Sequence, residues 1–473
     1  MRFPTAVLFV LFSLCPLLCA QNPQPESSAF PAQLTRDLVT LRDAALADDY
    51  AYQQVAHLTE NIGPRSAGSP QAEAAVQYVA DEMRKLGLDV HLEDVMIRRW
   101  MRGKETAELV EYPGQVPGTA QKIVLTALGN NAPTPPDGIT GEVVVVNSFA
   151  QLQALGREKV AGKIVLFNVV FDQRKAAAGL PLDAYEEAVI YRGRGAKEAA
   201  RLGAIASLVR SVGGADFRIA HTGWNDDAGI PAGAVTSEDA RLIADLAAQG
   251  NVRMQLVLTS RNGPEVLSHN VVADLKGSEH PEEIVVVSGH LDSWDLGTGA
   301  IDDAAGVAVA METAELVHRL QLHPKRTIRV IAWMDEENGG RGRDVYAKVH
   351  ADTLAQHVAA IESDLGAAHP LGFRAKISAD AVRVLQPVQE VLTSFGANLL
   401  QKSDEGTAAD IEPLSKAGVP AFAVLQDGRT YFKYHHTAAD TLDKIVPQEL
   451  RENAAAMAVM GYALANLPSR LPR

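Results

Sequence analysis

Cysteine is nearly absent: the chain has two, Cys15 and Cys19, both inside its first twenty residues. That stretch, Met1 to Ala20, carries Arg2, an apolar run from Ala6 to Leu18 and Ala20 before Gln21, the pattern of a secretory signal peptide. A lipidated cysteine does not fit, because Leu14 and Leu18 stand where a small residue is expected. Cleavage after Ala20 leaves no thiol, which excludes disulfides and a cysteine-ligated structural zinc from the mature chain. Basic residues are in deficit, 44 Lys and Arg against 58 Asp and Glu, for a net charge of −14. A nucleic-acid partner needs a basic face and is not expected. No other run approaches the ~20 apolar residues of a membrane span, so no stable membrane anchor is expected either. A Gly-x-Ser-x-Gly elbow is missing, which removes the simplest serine-hydrolase reading.

What is present is a series of His and acidic residues at the ends of apolar runs. Ile284 to Gly289 is a short, β-branched strand that delivers His290, followed by Asp292. Thr327 to Met334 runs into Asp335, Glu336 and Glu337, and Val358 to Ser363 runs into Asp364. Asp302-Asp303 and His435-His436 complete the set. Neutral imidazole and carboxylate oxygen suit zinc, and carboxylates beyond a buried strand are costly to desolvate unless paired or bound to a metal. In open α/β sheets such residues converge beyond the carboxyl ends of the strands. Each element alone has a plainer reading, a solvated acidic pair or a polar loop. Their coincidence with strand ends points to a two-metal hydrolase with one carboxylate free for proton transfer.

The order His-x-Asp, Asp-Asp, Glu-Glu, Asp, His-Thr-x-x-Asp-Thr resembles the co-catalytic two-zinc exopeptidases, a clan that includes bacterial leucyl aminopeptidase and glutamate carboxypeptidase II. Gly289-His-Leu-Asp-Ser-Trp-Asp-Leu-Gly-Thr-Gly-Ala-Ile-Asp-Asp303 and Tyr434-His-His-Thr-Ala-Ala-Asp-Thr441 are most similar to its carboxypeptidase Q branch. Gly63-Pro-Arg-Ser-Ala-Gly-Ser69 resembles the turn that opens the peptidase domain. The resemblance implies two zinc ions bridged by Asp302, with His290 and Asp364 on one and Glu337 and His436 on the other. It implies Glu336 as general base, a cis peptide after Asp302, and a His435 free to face the substrate oxyanion. Asp292 and Asp440 are expected to orient the imidazoles of His290 and His436. In an extended segment His435 and His436 would point to opposite sides.

The fold implied is α/β, a mixed central sheet flanked by helices, with an inserted protease-associated domain. After residues 1–20 come a polar leader at 21–36, a first peptidase part at 37–116, the insertion at 117–261, and 262–473 with all the metal ligands. Within the insertion, Arg192-Gly-Arg-Gly195 reads as a Gly-rich turn, and Tyr191 and Trp224 as packing or lid aromatics. The expected function is a secreted or periplasmic exopeptidase acting on dipeptides or short peptides; a homodimer is compatible with it. Two alternatives share the fold: an aminopeptidase, and a catalytically silent binding protein, which would have lost ligands or the base. A third, a one-zinc aminoacyl cyclase, is opposed by the full ligand set. Arg343, Arg429 and Tyr431 are candidates to receive a substrate carboxylate.

Overall fold

The computed structural model describes residues 30–214, 217–404 and 406–472. The expected signal peptide lies outside them. Two eight-stranded mixed sheets organise the chain. In the first, His280–His290 lies between Arg326–Trp333 and His357–Glu362, parallel to both, and Ala421–Gln426 continues the parallel run. On one side Arg261–Leu275 pairs antiparallel with Arg326–Trp333 and Asp89–Met101 antiparallel with Arg261–Leu275; on the other, Pro370–Lys376 pairs antiparallel with Ala421–Gln426 and Leu399–Lys402 parallel with Pro370–Lys376. The central strands are buried on both faces, which is why they read as unbroken Val, Ile and Ala runs rather than alternating ones. Helices Ala305–Arg319 and Pro447–Asn466 pack on this sheet, the latter buried almost throughout from Leu450 onward.

Helix Ala32–Leu46 packs in turn against Pro447–Asn466 and buries Leu34, Leu38, Leu41 and Ala45. It begins inside the stretch expected to be a loose leader through Arg36. Pro31 can precede a helix at no cost, and the 3–4 spacing of the apolar residues decides the rest. The Gly63–Ser69 turn leads into helix Pro70–Lys85, where Ser69 accepts the Ala72 N–H at 3.1 Å and Pro70 occupies the first turn.

The second sheet runs from Glu105–Glu111 to Arg253–Leu258 in sequence, with a parallel core of Ile139–Val146, Ile164–Phe167, Ala206–Arg210 and Ala232–Val235. It starts earlier than the boundary expected at Pro117, because Glu105–Glu111 pairs antiparallel with Arg253–Leu258. The Arg192–Gly195 segment is not a turn: it lies within helix Pro181–Arg201. Gly195 is there for packing, since a Cβ would fall 2.9 Å from the Phe167 ring. Tyr191 packs against Phe149 and Phe167.

Candidate metal centre and active site

The carboxyl ends of three parallel strands deliver four of the expected residues directly. His290 ends its strand, Glu336 and Glu337 follow Arg326–Trp333, and Asp364 follows His357–Glu362. Asp302 comes from the loop after His290, and its bond to Asp303 is cis. His290 Nε2 is 3.1 Å from Asp302 Oδ1 and 3.2 Å from Asp364 Oδ1. The other oxygen, Asp302 Oδ2, lies 3.2 Å from His436 Nε2, which is 3.0 Å from Glu337 Oε2. Asp302 therefore stands between two clusters and presents one oxygen to each. Among the described residues the Glu336 side chain has no hydrogen-bond or ion-pair partner, yet it lines the same cavity of about 310 Å³ as Asp302, Glu337, Asp364, His435 and His436.

The electrostatics of this cavity favour cations. Burial pushes the Glu336 carboxyl well above the usual range, and Asp364 and Glu337 add to it. Asp303 is raised in the same way by burial and its acidic neighbours. Burial works against charge on His290 and His436 too, but Asp364 and Glu337 respectively, with Asp302, hold both imidazoles well above their ordinary value. Glu337 Oε1 stays buried with no hydrogen-bond partner. Oxygen and imidazole donors in two groups, one of His290, Asp302 and Asp364 and another of Asp302, His435 and His436, lie close enough to hold ions. The donor set fits two divalent metals.

Several expectations about supporting residues need correction. The Asp292 carboxylate stays beside His290, its Oδ1 3.9 Å from Nδ1, but the closer partner of that nitrogen is the Asp292 main-chain carbonyl at 3.0 Å. The Asp292 carboxylate also accepts the N–H groups of Asp335, Glu336 and Glu337 at 2.8, 3.1 and 3.4 Å, and so shapes the turn carrying the two glutamates. Nor does Asp440 reach His436: its Oδ1 accepts from Ala300 and Ile301, both at 2.8 Å, and holds the loop before Asp302. The His doublet is not extended. His436 has φ +62, so the two rings stack at 3.6 Å instead of pointing apart, and His435 Nε2 comes to 3.6 Å from Asp302 Oδ2. His436 alone also meets Glu337. Burial and the His436 charge keep His435 well below its ordinary pKa, hence neutral. Arg429 turns away and pairs with Asp427, whereas Arg343 and Tyr431 do line the cavity.

Three contributors were not singled out for the site from sequence. Arg65, fully buried in the Gly63–Ser69 turn, donates to the carbonyls of Leu291, Thr298 and Gly299 at 2.8, 2.7 and 2.8 Å, pinning the loop between His290 and Asp302. Arg192 and Tyr185 reach the cavity from helix Pro181–Arg201, where Trp224, already expected as a packing or lid aromatic, joins them from the second sheet's unit. Arg192 Nη1 is 3.3 Å from His436 Nδ1, and its guanidinium lies 5.6 Å from the Tyr185 ring centroid. Only the Gly-rich surroundings marked Arg192, and they were misread.

Comparison with known proteins agrees with this geometry. The model of peptidase family M28 matches residues 270–460, the span holding His290 through His436. Carboxypeptidase Q of Bos taurus is 36% identical over 454 residues, covering 95% of this chain and 92% of its own. The chain belongs to peptidase family M28. It is an M28 metallopeptidase, and a solved M28 peptidase precursor from Shewanella amazonensis shares its architecture, with a TM-score of 0.87 and 34% identity over 93% of this chain and 98% of that one. A zinc aminopeptidase from Bacillus subtilis superposes with a TM-score of 0.65 at 21% identity, over 89% of this chain and 96% of that one. This second likeness speaks to the fold alone. Among the described residues, no helix of this M28 peptidase is long and apolar enough to cross a membrane.

Proposed function

We propose that the chain is an exported, two-zinc dipeptidase that recognises the free carboxylate of its substrate, as a carboxypeptidase does. The observation that carries the carboxylate preference is Arg192. It is 8% exposed, has no carboxylate partner among the described residues, and its Nε lacks any hydrogen-bond partner, yet it lines the cavity beside Glu337 and His436. A buried, unpaired guanidinium is costly, and a ligand carboxylate, which it can grip through two N–H groups, relieves the cost. Export rests on the Met1–Ala20 pattern, and the unit built on residues 105–258 is read as a protease-associated domain from its order of strands and helices.

His290, Asp302 and Asp364 would hold one zinc, and Asp302, Glu337 and His436 the other. Bound there, zinc supplies Lewis acidity toward the scissile carbonyl and brings the pKa of the attacking water toward ~7. Glu336 takes the proton from that water and returns it to the leaving amine, one carboxylate serving as base and then acid. Its raised affinity for a proton comes first from burial and then from the surrounding carboxylates, and two dications would lower it toward working range. Neutral His435 keeps an N–H at the same wall for the oxyanion.

A panel of dipeptides with free, amino-blocked and carboxy-blocked ends tests the reading. Amidation of the carboxylate is expected to lower kcat/KM by roughly 30-fold or more, the worth of a buried charge pair. Arg192→Met should lose the same factor on free dipeptides and little on the amides. Cleavage of carboxy-blocked substrates at full rate, with amino-blocked ones inert, would replace this reading with an aminopeptidase.

A further inference from the structure

The His436 ring is held from outside the catalytic sheet. Its Nδ1 lies 3.3 Å from both the Thr222 carbonyl and Arg192 Nη1; the guanidinium can only donate, so with Nε2 given to a metal the Nδ1 proton goes to the carbonyl, and the Thr222 N–H donates to the His436 carbonyl at 2.9 Å. Thr222 belongs to the second sheet's unit, is fully buried, and thus grips His436 at both main chain and ring. A ring nitrogen that donates to a carbonyl leaves the opposite nitrogen, here Nε2, with its lone pair toward Glu337 and Asp302 and makes it a better donor. The main-chain bond also clasps His436 at the residue whose φ of +62 turns the ring inward.

Thr222 is fixed by one arginine. Arg102 follows strand Asp89–Met101, at the passage from the first sheet to the second. Its Nη2 donates to Thr222 Oγ1 at 3.3 Å, and Nη1 to Glu105 Oε1 and Thr126 Oγ1, both at 2.6 Å, and to the Ala127 carbonyl at 3.1 Å. The same Ala127 carbonyl accepts from Thr222 Oγ1 at 2.8 Å. Toward the catalytic sheet, Arg102 forms a forked pair with Asp295, Nε to Oδ2 at 2.9 Å and Nη2 to Oδ1 at 2.6 Å, in the loop that joins His290 to Asp302. The guanidinium also lies 4.8 Å from the Trp100 ring centroid. This planar fork ties Asp295 and Thr222 into one frame, a task a lysine's point charge cannot perform.

We propose that Thr222 is a positioning residue for His436, and that Arg102 holds it there, so that the second metal position is completed by the inserted unit. This rests on the reading of His436 as a metal ligand. The test uses the full zinc-loaded protein and counts ions passed per chain to a metallochromic chelator over time. Arg102→Lys and Thr222→Val are expected to release one of two ions roughly 10- to 100-fold faster than wild type, the range for residues behind a metal ligand, and the other ion at the wild-type rate. Arg253→Ala, which removes an exposed pair with Glu111 at 3.7 Å, should release both at the wild-type rate. Should Arg102→Lys fail to fold, Thr222→Val, which loses only a hydroxyl, decides alone. Wild-type release of both ions in Thr222→Val overturns the proposal. Equal acceleration of both ions with a lowered melting temperature also overturns it, because the role would then be general stability. A wild-type chain that takes up fewer than two zinc ions defeats the functional reading itself, and is told apart because it is seen before any variant is made.

Discussion

Glu336 and Glu337 are adjacent and identical in chemistry, but they face different partners. Glu337 meets His436 at 3.0 Å, whereas Glu336 has only the cavity before it. Glu336→Gln should therefore keep its zinc and lose roughly 10²–10⁴-fold in turnover, the usual worth of a proton-transfer group. Glu337→Gln should lose metal first. Zinc per chain and turnover measured on both variants check the pair, and exchanged phenotypes would reverse the assignment. Residue identities were legible because a ligand must be His, Asp or Glu, and few such residues follow buried strands. Residue roles were less so. Asp292 and Asp440 were singled out as partners of the imidazoles, but their shortest contacts are with backbone N–H groups, since proximity along the chain does not say which donors a carboxylate meets. The stacking of His435 on His436 depends on a single positive φ that no local pattern announces.

At the scale of elements, two glycines give opposite expectations for one substitution. Gly306 opens helix Ala305–Arg319 directly beneath the site, where a Cβ would fall 2.0 Å from the Ser363 carbonyl and 2.4 Å from Asp303 Oδ2. Gly306→Ala is expected to cost ~3 kcal/mol or more, at or beyond the upper end of overpacking penalties. Gly193 sits inside helix Pro181–Arg201 with nothing within 4 Å of its Cβ position. Gly193→Ala should stabilise by ~0.5–1 kcal/mol, as helix propensity dictates. Urea midpoints of the two variants measure both, and a destabilising Gly193→Ala would mean that this segment is not helical. The parallel strands were readable because burial on both faces demands continuous apolar runs. Helix Pro181–Arg201 was not read across Arg192–Gly195, because glycine favours turns in isolation and only the close approach to Phe167 makes Gly195 useful within a helix.

For the whole molecule, acid stability depends in part on a network on the sheet away from the site. His357 is buried, accepts or shares a proton with Tyr346 Oη at 2.8 Å, and is held down to about 4 by burial, with Arg329 and His350 adding. Its folded pKa lies below the unfolded value of ~6.5. Its contribution is therefore fully present above that value and is lost as pH falls toward 4. Between pH 7 and 5 the loss amounts to about 2 kcal/mol. Urea titrations at the two pH values, run on wild type and His357→Gln, should show this part of the pH dependence disappear in the variant; an equal dependence in both would contradict it.

By itself, the sequence determined the α/β class and the identities of the acidic and imidazole groups at the strand ends. These follow from local rules: apolar runs of strand length, turn formers between them, and the few side chains that can bind a metal. Only the tertiary structure decided how Arg192 and Thr222 come to face His436, and Tyr185 and Trp224 the same cavity. Those residues lie in a separately built sheet unit, and their approach to the site depends on how Arg102 and Asp295 join the two sheets. No short-range pattern encodes a contact between residues more than two hundred positions apart, because it arises from the packing of completed units.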